Sequence, residues 1–128
     1  MVTALVKDNY QAILEAGKHR YIADEQVATG GDDTGMSPTQ LLLCSLASCT
    51  SITVKMYANR KAWPLDAVHV SVKINNSGGI NGEDEIIRDI ALSGNLDTLQ
   101  KERLLYIANH CPVHKILSRQ NLITTNLK

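Results

Sequence analysis

Apolar and polar positions alternate in short stretches over the first third of the chain. Thr3 to Lys7 and Gln11 to Glu15 are brief segments of this kind, and Ala16-Gly17-Lys18 is a turn leading into Arg20 to Ala23. Short alternating runs bounded by turn residues predict a small antiparallel meander. Gly30-Gly31-Asp32-Asp33-Thr34-Gly35 then breaks the pattern and is expected to be a flexible loop, a hinge or a lip. At Ser37 the signals change. Ser37 with Gln40 makes a capping-box pair, and Pro38 stands at the first helical position, where its missing N–H costs nothing. The chain reads as helix from there to about Asn59. Leu41 to Val54 contains no charged residue, and its polar members are Ser, Thr and Cys, small enough to be enclosed. At about 1.5 Å per residue such a helix crosses a small domain, and a chain of 128 residues would struggle to cover every face of it. A homodimer that sandwiches the helix is expected; the alternative is a monomer whose sheet wraps most of it.

Val68-His69-Val70-Ser71-Val72-Lys73 alternates with period two, as a strand with one covered face does. Asn75 to Gly82 reads as a loop, and Glu85 to Leu92 as the antiparallel partner strand. Asp97 with Gln100 makes a second capping box, opening a helix through Leu99, Leu104, Leu105, Ile107 and Ala108 that ends at Asn109-His110. Pro112 starts a short helix through about Leu117, and Leu122 to Leu127 is expected to close the chain as a strand. The class is α+β, with residues 1–128 forming one domain.

Composition narrows the function classes. The chain is 44% hydrophobic and 20% charged, ordinary for a soluble globular domain. Thirteen basic residues balance thirteen acidic ones, so no global field draws in nucleic acid or an anionic membrane. Met1 to Lys7 lacks the pattern of a signal peptide, and no run is expected to reach the roughly 18 to 20 apolar residues that span a bilayer. The expected location is the cytoplasm. Three cysteines are too few, and of the wrong parity, for a secreted disulfide scaffold.

Attention therefore falls on the thiols. Cys49 lies mid-helix on a face shared, at three- and four-residue spacing, with Leu42, Ser45, Leu46, Ile52, Thr53 and Met56. Cys44 is about 140° from Cys49 around the axis and about 7.5 Å along it, so the two do not form a couple, and Cys44 reads as packing. Cys111 sits in His110-Cys111-Pro112-Val113-His114-Lys115 at a helix start, where unpaired backbone donors and the helix dipole favour a thiolate. Two thiols in separate elements suit peroxide chemistry: one thiolate attacks oxygen to give a sulfenic acid, and the second condenses with it to a disulfide. A metal site built from Cys49, His110, Cys111 and His114 lacks a second sulfur pair, and the Gly30-Gly31 loop lacks the pattern of a phosphate cradle. Arg20, Arg60 and Lys61 are candidate cations for a thiolate, or else solvated surface.

SPTQLLLCSLASCT, Ser37 to Thr50, followed some sixty residues later by HCPVHK, resembles the OsmC/Ohr superfamily of thiol-dependent peroxidases. The resemblance implies an OsmC-like fold, an intertwined homodimer with two long helices enclosed by antiparallel sheets, and two active sites at the subunit interface. It implies that Cys49 is the peroxidatic and Cys111 the resolving thiol, that organic hydroperoxides or hydrogen peroxide are reduced at the expense of a dithiol reductant, and that no cofactor is required. Cys44 matches no catalytic position of the family. Members close to the best-studied peroxidases carry a glutamate in the first turn of the long helix, where this sequence has Thr39 and Gln40. That departure leaves open a second reading: a non-catalytic or redox-sensing protein of the same fold that binds a small apolar ligand in the dimer cleft.

Overall fold

Gly17 turns the second hairpin with a φ of 59°, a left-handed backbone that glycine adopts without a Cβ penalty. In the computed structural model, which describes residues 1–75 and 84–128, this turn joins β2 (Ala12–Ala16) to β3 (His19–Ala23), with Ala16 opposite His19. β1 (Thr3–Val6) pairs with the other edge of β2, from Thr3 opposite Glu15 to Val6 opposite Ala12. The expected meander is therefore an antiparallel sheet of order β1-β2-β3. The chain divides into two compact units, Met1–Cys44 and Ser45–Lys128.

The glycine loop of the first unit is pinned, which corrects the expectation of a hinge. Asp24, 1% exposed, accepts hydrogen bonds from the Thr34 N–H at 3.1 Å and the Thr34 hydroxyl at 2.7 Å. A Cβ on Gly31 would collide with the Glu25 carbonyl, and one on Gly35 with the Ile22 carbonyl. These glycines allow close backbone approach rather than motion.

The long helix α1 runs Pro38–Arg60. Both halves of its capping box form: Ser37 N–H donates to Gln40 Oε1 at 2.9 Å and Gln40 N–H to Ser37 Oγ at 3.2 Å. It ends in paired bonds, Trp63 N–H to the Ala58 carbonyl at 2.9 Å and Ala62 N–H to the Asn59 carbonyl at 3.0 Å, with Ala62 held at a φ of 54°. The expectation that no stretch has bilayer-spanning character needs correcting, because α1 is long and apolar enough by length and composition, with a mean hydropathy of 1.4. Serine, threonine and cysteine are small polar residues that barely lower the average. The buried positions of α1, Leu46, Thr50, Val54 and Ala58, recur every fourth residue and form one stripe.

In the second unit β4 (Leu65–Asn75) pairs antiparallel with β5 (Glu85–Gly94), both longer than the alternation alone indicates. The loop expected between them lies, beyond Asn75, outside the described residues. Helix α2 (Thr98–Ala108) opens on the Asp97–Gln100 capping box, and α3 (Pro112–Leu117) follows after three residues. Val54, Ala58, Leu65, Leu96, Leu104 and Ala108 form the core, with Trp63, Val68, Ile90 and Leu92 packed against it. Leu122 to Leu127 is not a strand. Leu122, Ile123 and Leu127 are almost fully exposed, and a strand requires a ladder partner, which this segment lacks among the described residues.

Candidate active site

Three elements of the second unit converge on one thiol. Cys111 is the N-cap of α3, fully buried, and its sulfur accepts the His114 N–H at 3.4 Å. Pro112 at the first helical position fixes that turn, as the sequence predicts. From α1, the Thr50 hydroxyl lies 3.7 Å from the Cys111 sulfur and donates to the Leu46 carbonyl at 2.7 Å. From β5, Arg88 donates through Nη1 to the Thr50 hydroxyl at 3.0 Å and to the Ala108 carbonyl at 3.2 Å, and through Nη2 to Asn109 Oδ1 at 2.7 Å. One guanidinium thus ties a strand to the long helix and to the end of α2.

Arg88 is a functional candidate that sequence reasoning missed; the sequence points to Arg20, Arg60 and Lys61. Its signal was present: with period two, Arg88 shares a face with Ile86, Ile90 and Leu92, and an arginine on an inward strand face needs acceptors. The other candidate cations have neighbours of their own. Arg20 approaches Glu15, at 3.9 Å, and both side chains are more than half exposed. Arg60 and Lys61 each stand 5.7 Å from the centre of the Tyr57 ring, over which Arg103 also sits at 5.5 Å. The Arg103 hydrogen bond to the Tyr57 hydroxyl, at 2.9 Å, lowers the phenol's pKa from its ordinary value and raises that of Arg103.

All three cysteines are free. Cys49, half-buried, immediately precedes Thr50 in α1, and it is the Thr50 side chain, not that of Cys49, that lies beside the Cys111 sulfur. Cys49 flanks the buried stripe, on a face where Leu42, Ile52 and Met56 are exposed at 43%, 57% and 65%. Cys44, expected as packing, is exposed within this chain, with its sulfur 3.5 Å from the Met36 thioether.

A cavity of about 260 Å³ adjoins the thiol network, lined by Leu46, Ile86 and Leu117 on its apolar side and by Arg88, His114 and Asp84 on its polar side. Burial, followed by the positive charges of Arg88 and His110, pushes the His114 pKa below its ordinary value, so that its imidazole favours the neutral form. His110 is engaged elsewhere: its Nδ1 lies 2.7 Å from the Tyr106 carbonyl and its ring 4.1 Å from the Tyr106 ring. No three His, Cys, Asp or Glu side chains converge as metal ligands among the described residues.

The family model described as OsmC-like protein matches residues 30–126, a span that includes both α1 and the Cys111 segment. The chain belongs to the OsmC family. Its fold is similar to that of an OsmC-like protein from Mycoplasma pneumoniae, at 19% identity and a TM-score of 0.77, with 92% of this chain and 86% of that one covered. An organic hydroperoxide resistance protein from Legionella pneumophila matches at 18% identity and a TM-score of 0.65, covering 91% and 87%. The organic hydroperoxide resistance protein OhrB of Bacillus subtilis matches at 21% identity and a TM-score of 0.61, with the same 91% and 87%. No curated protein sequence is similar enough to count as a relative. The long helix and antiparallel sheets are thus those of the OsmC fold.

Proposed function

We propose that this protein is a thiol-dependent peroxidase of oxidative-stress defence, reducing organic hydroperoxides or hydrogen peroxide with Cys49 as peroxidatic and Cys111 as resolving thiol. The observation that carries the reading is the approach of buried Cys111 to Thr50, the residue that follows Cys49. The family, and the hydroperoxide resistance of two fold relatives, support it. The Cys49 thiolate attacks the terminal oxygen of the peroxide; the O–O bond breaks, a sulfenic acid forms, and the leaving alkoxide or hydroxide takes up a proton as alcohol or water. Cys111 then displaces hydroxide from the sulfenic sulfur, forming a disulfide that a dithiol reductant reopens with two electrons. Such a cycle belongs in a reducing compartment, and the cytoplasm is the proposed location.

The working unit is proposed to be a homodimer whose second copy covers the exposed apolar residues on the Cys49 face, Ile52 and Met56 among them. The second reading, a non-catalytic or redox-sensing member that binds a small apolar ligand, draws on one feature of α1: no acidic residue stands in its first turn, and the Gln40 side chain is committed to the cap.

The test is to mix reduced protein with cumene hydroperoxide and count thiols in the wild type and in the Cys49→Ser and Cys111→Ser variants. The wild type is expected to lose two of its three thiols, whereas Cys111→Ser forms no internal disulfide and Cys49→Ser keeps its thiols. Unchanged thiols in the wild type, or an identical loss in Cys49→Ser, would overturn the peroxidase reading in favour of the second one.

A further inference from the structure

Protons around Cys111 are unevenly supplied, and counting them assigns each partner a role. The Thr50 hydroxyl has three neighbours: the Leu46 carbonyl at 2.7 Å, Arg88 Nη1 at 3.0 Å and the Cys111 sulfur at 3.7 Å. A hydroxyl has one proton and two lone pairs, a guanidinium only donates and a carbonyl only accepts. The proton therefore goes to Leu46, the shortest contact, and one lone pair takes the Arg88 N–H. The lone pair that remains faces sulfur, so in the thiol form Cys111 is the donor.

When the thiol ionises it has no proton to give, and the Thr50 hydroxyl can turn its own proton from Leu46 to the sulfur. The turn is inexpensive because the Leu46 carbonyl also lies within α1, where the helix ladder supplies it with a backbone donor. Arg88, anchored on the Ala108 carbonyl and Asn109 Oδ1, keeps donating to the hydroxyl in both states and places a permanent positive charge behind it. The other titratable groups facing this site are His110 and His114 beside the thiol and Asp84 across the cavity, and the His114 N–H already points at the sulfur.

We propose that Thr50 and Arg88 are positioning residues for Cys111, which they stabilise as the thiolate that attacks the Cys49 sulfenic acid. This rests on the peroxidase reading. In the step they serve, the Cys111 sulfur gives an electron pair to the Cys49 sulfur, the S–S bond forms and the S–O bond breaks, and the departing hydroxide leaves as water with the proton that Cys111 released. One sulfur is reduced and the other oxidised, so no further oxidant is needed.

The first measurement uses no peroxide. In a Cys44→Ser/Cys49→Ser background, Cys111 is the only cysteine, and its ultraviolet thiolate absorbance is followed against pH. Replacing Thr50 by the isosteric valine is expected to lower the thiolate population at a given pH by about tenfold, the loss of one hydrogen bond to a charged group, and replacing Arg88 by methionine is expected to lower it through the loss of the positive charge behind the hydroxyl. Thr50→Ser, which keeps the hydroxyl, is expected to restore the wild-type profile. A variant that merely loosens the packing would admit solvent and leave the profile in place or move it the other way, so coincident profiles overturn the proposal. The second measurement adds one equivalent of cumene hydroperoxide to the full-thiol protein and traps sulfenic acid with dimedone. Trapped product is expected to accumulate in Thr50→Val but not in Thr50→Ser. Altered pH profiles with no sulfenic acid in any variant would sink the peroxidase reading while leaving the Thr50–Arg88 arrangement standing.

Discussion

Replacing Arg88 by methionine keeps much of the apolar stem and removes a guanidinium that joins three elements. Its three acceptors differ in what they lose. The Ala108 carbonyl, on a fully buried residue, also accepts the Cys111 N–H at 3.4 Å, and the Thr50 hydroxyl still donates to Leu46. Neither is orphaned, so the cost is that of two hydrogen bonds rather than of two stranded polar groups. The Asn109 side chain is exposed, and water replaces its partner at little cost. At about 1 kcal/mol for each of the two enclosed bonds, Arg88→Met should destabilise the fold by about 2 kcal/mol, roughly a thirtyfold change in the folding constant. With a urea slope of about 2 kcal/mol per molar, the unfolding midpoint should fall by about 1 M, measured at equal protomer concentration because association adds to apparent stability. Arg88→Lys should recover less than half of this, since an ammonium on a flexible stem does not reproduce the planar fork. A midpoint unchanged to within about 0.2 M would refute the claim that Arg88 ties β5 to the two helices.

Three further outcomes follow from single features. Ala62 occupies a left-handed position at the end of α1, and Ala62→Gly should stabilise the fold by about 1 kcal/mol in urea unfolding, because relief of the Cβ clash exceeds glycine's added entropy in the unfolded chain. The Thr34 hydroxyl holds the Asp24 carboxyl below its ordinary value of 3.8, so that its contribution to stability is complete above that value and is lost as pH falls through the lower folded-state pKa; Asp24→Asn should flatten the acid limb of a stability-against-pH curve. His114 is depressed below 6.5 by burial, so the unfolded chain takes up its proton first and stability should fall as pH drops below that value; in His114→Gln this component should vanish from the same curve.

Local signals made the helices legible. Ser37 with Gln40, Asp97 with Gln100, and Pro112 each state where a helix begins using only groups within one turn, and each start is found where it was expected. The thiol positions followed from the same signals. What stayed hidden depends on distant chain segments. Nothing in the sequence around Thr50 separates it from Thr53; its role arises only because α3 brings Cys111 against it. Arg88 was half visible through the alternation of its strand, but its acceptors come from α1 and the end of α2. The glycine loop looked mobile because the Asp24 carboxylate that ties it down is ten residues from Thr34. Leu122 to Leu127 has a strand's composition but no strand beside it, and pairing rather than propensity makes a strand.

The buried stripe of α1 and the Cys49 face point in different directions, which links assembly to chemistry. Leu46, Thr50, Val54 and Ala58 settle into the chain's own core, whereas Met56, seven residues and about 20° from Cys49 around the helix, is 65% exposed. If a second copy covers that face, as the proposed dimer requires, it also covers the immediate surroundings of Cys49, the proposed peroxidatic thiol. Met56→Lys separates the cases. On a face open to water, an exposed lysine in place of an exposed methionine changes stability by no more than about 0.5 kcal/mol. Beneath a second copy, the same ammonium would be buried without a partner, at a cost of several kcal/mol per chain, incurred twice in a symmetric dimer. The expected result is a shift in sedimentation from twice the chain mass to the chain mass, together with slower thiol loss in cumene hydroperoxide because Cys49 has lost its enclosing surface. A Met56→Lys protein that sediments like the wild type would show that the Cys49 face is not where two copies meet, and any enclosure of Cys49 would have to come from this chain alone.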